Sequence, residues 1–270
     1  MTSTGVPTQP GDESSLDERR ELMTGVGAAG VDLPDGTADT EALVFQEDDE
    51  RLLAYFGAVH PTIAQFVRLL ADEGVTRGLI GPHEAPRLWE RHILNCAAVA
   101  QLLPSSGTLV DVGSGSGLPG VVLAVMRPDL QVILLEPMER RAAWLVEVVA
   151  ALGLTSTEVV RGRAEEVRKK IRADVVTARA VAPMDRLAGW TLPLLHAGGV
   201  LLAMKGRSAT DELAAATKVI QSLGGGPGEV LEAASIVGVA PTTVIRITRE
   251  MVLPHEKSAS RPAEKRKRRR

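Results

Sequence analysis

The stretch LVDVGSGSGLPGVVLAV, Leu109 to Val125, changes character twice. Leu109–Val112 is apolar and rich in valine, the next residues are dominated by glycine, and Val121–Val125 is apolar again without a breaker. A short apolar strand running into a glycine turn and then a helix is the opening of an α/β unit. The glycines stand at 113, 115, 117 and 120. A dinucleotide fingerprint would place its third glycine at 118, where this chain has Leu118. A phosphate loop of the Walker type would end in Gly-Lys-Ser/Thr, and this loop has no lysine. What remains is D-x-G-x-G-x-G, in which Asp111, Gly113, Ser114, Gly115, Gly117 and Leu118 bring backbone close to an adenosine or amino-acid moiety. A glycine loop alone leaves three cofactor classes open: a nicotinamide, a nucleoside triphosphate and S-adenosylmethionine.

The surrounding chain supplies the fold. Strand candidates at 108–113, 131–137, 156–162, 173–179 and 198–206 alternate with helix candidates at 119–126, 138–152, 184–195 and 209–223. Nearly continuous apolar strands alternating with helices predict an α/β fold, a parallel sheet covered on both faces. Two further strands, 229–239 and 242–250, have only a short Ala-Pro link between them, so they are expected to pair antiparallel. Ahead of the sheet, Leu52, Phe56, Val59, Ile63, Phe66 and Leu70 recur at helical spacing, with Pro61 placed to separate two helices. Another helix is expected from about Ala85 to Leu102, stopped by Pro104. The domain reading is an acidic leader over 1–44 expected to be disordered, a helical region over 45–105, a core over 106–252 and a basic tail over 253–270.

Bulk properties bound the function. A chain of 270 residues with 44% hydrophobic content can build one large α/β domain with appendages. No apolar run approaches the roughly 20 residues that span a bilayer. The N-terminus lacks the basic start and apolar stretch of an export signal. Cys96 is the only cysteine, which excludes a disulfide framework, a cysteine-based zinc site and an iron–sulfur cluster, and suits a reducing cytoplasm. The net charge of −3 hides an asymmetry. Residues 1–50 carry a net of −11 and residues 255–270 a net of +6, which leaves 51–254 at +2. The folded part is therefore compatible with a polyanionic partner.

Individual side chains sharpen this. Glu136 ends the second strand, 19 residues beyond Gly117, where an acid can accept two hydrogen bonds from a ribose diol. In GRAEEV after the third strand, Ala164 and Glu165 lie where an adenine would sit; a solvated first-turn acid is the alternative for Glu165. Arg179 closes the fourth strand and Lys205 the fifth, so both cations fall on the ligand-binding edge of the sheet. They could hold a cofactor carboxylate, an RNA phosphate or an electron-rich base edge, with cations snorkelling at strand ends as the alternative. His92 borders the apolar side of its helix, where most histidines are packed, and Arg87 and Arg91 form a basic strip beside it. The segment after the fourth strand reads ARAVAPM, without the Asn/Asp-Pro-Pro-aromatic loop suited to exocyclic amines, and Cys96 lacks the Pro-Cys context of a cytosine-C5 nucleophile. A ring nitrogen with a free lone pair is the simpler acceptor. Chemistry at such an atom rests on alignment, worth roughly 7–11 kcal/mol at best.

LWERHILN, DVGSGSGLPG, RGRAEEV, ARAVAP and LLAMKG, in this order and spacing, resemble the RsmG family, also called glucose-inhibited division protein B. The resemblance covers roughly residues 75–250. It implies a class I methyltransferase (Rossmann-like) fold and methyl transfer from S-adenosylmethionine to N7 of a guanine, position 527 in the usual numbering, in the 16S rRNA of the 30S subunit. By motif match, Gly113 and Leu118 would line the methionine side, Ala164 and Glu165 the adenine side, and Arg179 the cofactor or substrate. Lys205 falls in the family's KG stretch, as an RNA contact; Arg87, Arg91 and His92 are further candidate RNA contacts read from the chain itself, and Arg179 and Lys205 are the candidate catalytic pair. The protein is expected to be a cytoplasmic monomer, with no metal and no membrane partner. One departure stands out: where the family often has Asn-Leu-Thr ahead of this helix, the chain has GLIGPHE at 78–84.

Overall fold

The structure, a computed structural model, describes residues 45–253. The acidic leader and the arginine-rich tail expected from the sequence lie outside the described residues.

A seven-stranded sheet has the order β3-β2-β1-β4-β5-β7-β6. Its strands are β1 (Gly107–Val112), β2 (Leu130–Glu136), β3 (Thr157–Arg161), β4 (Ala173–Arg179), β5 (Leu195–Met204), β6 (Gly225–Ala233) and β7 (Thr242–Arg249). The first five pair in parallel, and β7 runs antiparallel to both β5 and β6. The chain leaves β3 at one edge and re-enters beside β1, so the strand order reverses between β1 and β4. A crevice at the carboxyl ends of two such strands is where open α/β sheets bind ligands.

Both faces are covered. On one face pack α1 (Glu50–Phe56), α2 (His60–Glu73), α4 (Gly120–Met126) and α5 (Glu139–Ala151), with Leu52, Phe66, Leu70, Leu123, Leu134 and Trp144 in a shared core. The helical region thus shares one apolar core with the sheet. On the other face α6 (Ala164–Val167), α7 (Met184–Thr191) and α8 (Ala209–Ser222) cover Val110, Val176, Leu201 and Ile245.

Three local features differ from expectation. The break between α1 and α2 falls at Gly57, where φ is +52°, while Pro61 sits within the first turn of α2. Proline is at home there because the first-turn N–H has no intrahelical partner. The run 85–102 is helical but not a uniform α-helix: Leu88–Leu94 forms a wider π-helix that tightens into α3 (Asn95–Ala98). The antiparallel hairpin also shifts. β6 begins at Gly225 rather than at 229 and ends at Ala233, so 234–241 is a connection. α8 lies close to the start of β6: a Cβ at Gly225 would come within 2.7 Å of Ile220 Cγ2 and 3.1 Å of the Ile220 backbone oxygen, which favours glycine there.

Candidate active site

The glycine loop leaves the carboxyl end of β1 and is pinned from below. Gly113 N–H donates to Leu135 O at 2.8 Å, and Trp144 Nε1–H donates to Ser116 O at 3.1 Å. Gly113, Gly115 and Gly117 have φ of +71°, +55° and +104°, a region where side chains are strained. Above Gly115 there is room: a Cβ would meet nothing nearer than Gly113 O at 3.7 Å and Arg141 Nη1 at 3.9 Å. The loop thus presents an open shelf beside a half-buried cation, Arg141, that sequence reading missed. Its signal was only a second arginine in the first turn of α5.

Asp111 stands under the loop. It is fully buried; Oδ2 accepts from Gly120 N–H at 3.0 Å and Oδ1 from Thr177 Oγ1 at 3.3 Å. It therefore caps α4 and ties β1 to β4, and the Ser114 hydroxyl donates back to its carbonyl at 2.9 Å. Burial pushes its carboxyl up to about 6, against the pull of those hydrogen bonds. Asp111 and Ser114 shape the loop from within the fold.

Glu136 is buried at the end of β2. One carboxylate oxygen accepts from Gly115 N–H and the other from Met138 N–H, each at 2.9 Å. The acid thus fixes the crest of the loop, and each oxygen keeps a second lone pair. Beside it an open depression of about 250 Å³ is lined by Pro137, Arg161, Gly162, Arg163 and Glu166. It lies where β2 and β3 end, and Ala164 and Glu165 follow directly as the first turn of α6. Ala164 is buried and Glu165 exposed.

Across the strand-order reversal, Arg179 at the end of β4 turns toward the π-helix. It donates to Cys96 Sγ at 3.2 Å and to Arg91 O at 3.3 Å, and Nη2 lies 2.5 Å from His92 Nδ1. His92 Nε2 in turn lies 2.5 Å from Glu84 Oε2, and Arg91 reaches Glu84 Oε1 at 3.4 Å. Burial, followed by the neighbouring Arg179 charge, holds His92 down at about 4, and Glu84 opposes this only in part. The imidazole is therefore neutral at pH 7, with Nδ1 accepting from Arg179 and Nε2–H donating to Glu84. Burial likewise pushes the Cys96 thiol up, which keeps it protonated. Glu84 belongs to GLIGPHE, the segment that departs from the family pattern. Arg87, also expected at the RNA, is more exposed than Arg91 and pairs with Glu90 at 3.4 Å.

Lys205 is drawn inward. Its ammonium donates to Ala182 O and to Glu212 Oε2, both at 2.7 Å. Glu212 also accepts from Ser208 Oγ and Met184 N–H. Burial alone would raise the Glu212 carboxyl, but Lys205 and Ser208 together outweigh it and leave it below its usual range. Expected at the RNA, Lys205 is committed instead to the loop that follows Arg179. That loop contains Ala180, a non-glycine residue at φ +53°. The structure thus gathers the glycine loop, Glu136 and Arg179 at one edge and ties Lys205 behind them. Among the described residues no cluster of three His, Cys, Asp or Glu side chains could hold a metal ion.

The family model described as rRNA small subunit methyltransferase G (GidB) matches residues 59–235. The chain belongs to this family. A ribosomal RNA small subunit methyltransferase G from Salinispora tropica is 56% identical over 195 residues, which cover 70% of this chain and 81% of that one. The one from Renibacterium salmoninarum is 53% identical over 193 residues, covering 71% and 90%. Among solved structures, an SAM-dependent O-methyltransferase from Thermotoga maritima is 18% identical, with a TM-score of 0.48 over 68% of this chain and 72% of that one. The matched span of the family begins within the 3-10 turn before α2 and ends just past β6, so it takes in both the π-helix and the glycine loop.

Proposed function

We propose that this member of the family transfers a methyl group from S-adenosylmethionine to N7 of a guanine, position 527, in the 16S rRNA of the 30S subunit. The observation that carries the reading is the meeting of the open glycine shelf, Glu136 and Arg179 at the point where the strand order reverses. The donor set suits an adenosine bearing an amino acid. Glu136 offers lone pairs toward a ribose, Gly162, Arg163 and Glu166 border the depression beside it, with Ala164 and Glu165 next to them in the chain, and Gly113–Leu118 with Arg141 face the amino-acid end. When bound, the cofactor supplies an electrophilic methyl on a sulfonium.

The chain's own residues orient. Guanine N7 carries a lone pair in the ring plane, so no side chain need remove a proton, and alignment is the work left to the protein. Three of the five N–H groups of Arg179 are held by Cys96, Arg91 and His92, which fixes the plane of the guanidinium and leaves the others for cofactor or substrate. Lys205 acts through the loop after Arg179, as a positioning residue. Asp111 and Ser114 act through the glycine loop in the same way. Arg87, in the 3-10 turn just before the π-helix, and Arg91 on the π-helix, with His92 behind them, form the near side of the RNA contact. A cytoplasmic monomer is part of the same proposal, in keeping with a ribosomal substrate; among the described residues no helix is long and apolar enough to cross a membrane.

Incubation with tritiated S-adenosylmethionine and 30S subunits from cells lacking this modification, followed by nucleoside analysis, tests the reading. Label in 7-methylguanosine is expected. Label in another nucleoside, or in protein alone, would overturn it.

A further inference from the structure

The segment RGRAEEVRKKIR, Arg161 to Arg172, holds six cations against two acids. Its net of +4 exceeds the +2 of residues 51–254 as a whole. The segment starts at the carboxyl end of β3, passes through α6 and reaches Arg172 immediately before the amino end of β4. It therefore crosses the molecule from the proposed methyl-transfer edge to the opposite edge, about the length of a seven-residue strand, or roughly 20 Å. Arg172 anchors the far end on the carbonyls of Ile171 and Pro193, at 2.9 and 3.4 Å.

Most cations elsewhere are spoken for: Arg51, Arg77, Arg127, Lys205 and Arg246 each sit on a carboxylate. Arg163, Arg168, Lys169 and Lys170 differ. All four are exposed, and none makes an ion pair or a side-chain hydrogen bond among the described residues. The nearby acids do not neutralise them: Glu166 accepts from the Arg163 backbone N–H, and Glu165 is exposed without a cationic partner among the described residues. Keeping unpaired like charges side by side costs self-repulsion, which a polyanion relieves. The chain has few aromatics, 3%, so a nucleic acid would be held here through its phosphates rather than by stacking.

We propose that Arg168, Lys169 and Lys170 form a track for the phosphodiester backbone of the rRNA, a second contact displaced from the methyl-transfer edge toward the opposite edge. The proposal rests on the rRNA reading above and extends it to a surface that takes no part in methyl transfer. Contacts of this kind set affinity and its salt dependence and leave the chemical step alone.

The test is the full chain carrying R168Q/K169Q/K170Q, assayed on 30S subunits, with the charge-conserving R168K/K169R/K170R as companion. The neutral variant is expected to raise KM for subunits about tenfold at physiological salt and to keep kcat within about twofold. Its log Kd against log salt slope should be shallower by about 2–3. The charge-conserving variant should match wild type in both, and S-adenosylmethionine affinity should be the same in all three. An unchanged KM and slope in the neutral variant would overturn the track, as would equal losses in both variants. If wild type left the subunits unlabelled, the methyltransferase reading would fall. Filter binding of the subunits would then still test the track through the same slopes.

Discussion

Arg179 Nη2 and His92 Nδ1 stand 2.5 Å apart, joining the end of β4 to the π-helix. The pair links the two halves of the site: one side chain closes a central strand, and the other belongs to the helix expected to face RNA. A π-helix places successive residues on a different face from an α-helix, and such segments recur at functional sites. Here the altered winding accompanies an imidazole that meets a guanidinium on one side and Glu84 on the other.

Removing the imidazole should loosen Arg179 without removing its charge. We expect His92→Ala to lower kcat/KM on 30S subunits about tenfold, or roughly 1.4 kcal/mol, and Arg179→Ala to lower it at least about a hundredfold. The double variant should be no worse than Arg179→Ala alone, because the two act as a unit. His92 titrates at about 4, so His92→Gln should leave the shape of the pH–rate profile between pH 6 and 9 unchanged. A limb near neutrality that disappears in His92→Gln would contradict a neutral imidazole.

Glu136 accepts from two backbone N–H groups at once. Glu136→Gln replaces one acceptor by an NH₂ group that must face an N–H donor, so the loop crest should shift. Calorimetric titration should show S-adenosylmethionine binding weakened by at least about tenfold, and wild-type affinity would sink the role given to this acid.

Asp111 gives a pH-dependent prediction. Its folded value of about 6 exceeds the ordinary 3.8, so the fold favours the protonated acid. This group's contribution to stability is therefore intact below about pH 4, declines as pH rises toward 6, and then costs roughly 3 kcal/mol at neutrality. Asp111→Asn keeps an acceptor for Gly120 N–H and carries no charge to bury. Urea unfolding should show the variant gaining on wild type by roughly 2–3 kcal/mol between pH 4 and pH 7.5. A constant difference across that range would rule out a raised carboxyl.

Ala180 holds φ +53° directly after Arg179. The left-handed region costs an L-residue roughly 1–2 kcal/mol, and glycine gives part of that back as chain entropy. Ala180→Gly should therefore stabilise the protein by about 0.5–1 kcal/mol in the same unfolding assay; destabilisation would mean that the Ala180 methyl group makes a needed contact.

Much of this was legible in the residues. Alternation of β-rich runs with helices located the five parallel strands to within about three residues at each end, because buried strands leave little freedom in composition. Gly113–Gly117 and Glu136 could be read because backbone conformation and an acid at a strand end each demand a particular residue type. The start of β6 could not be read: Gly225 answers to the approach of Ile220 on α8, a tertiary constraint. The commitments of charged side chains were hidden for a similar reason. Lys205 and Glu212 lie seven residues apart across a turn, and Arg179 and His92 are brought together only by the packing of a helix on the sheet. Local pattern gives a charge its edge of the fold but not its partner.

The most direct test is position-resolved. Unmodified 30S subunits would be treated with enzyme and S-adenosylmethionine, and the ribonuclease fragments of their 16S rRNA weighed by mass spectrometry beside a parallel sample with Arg179→Ala. One added methyl group is expected on a single fragment, the one containing guanine 527, placed on the base at N7, and it should be nearly absent with the variant. A methyl group on another fragment or another base atom, or full modification by Arg179→Ala, would contradict it.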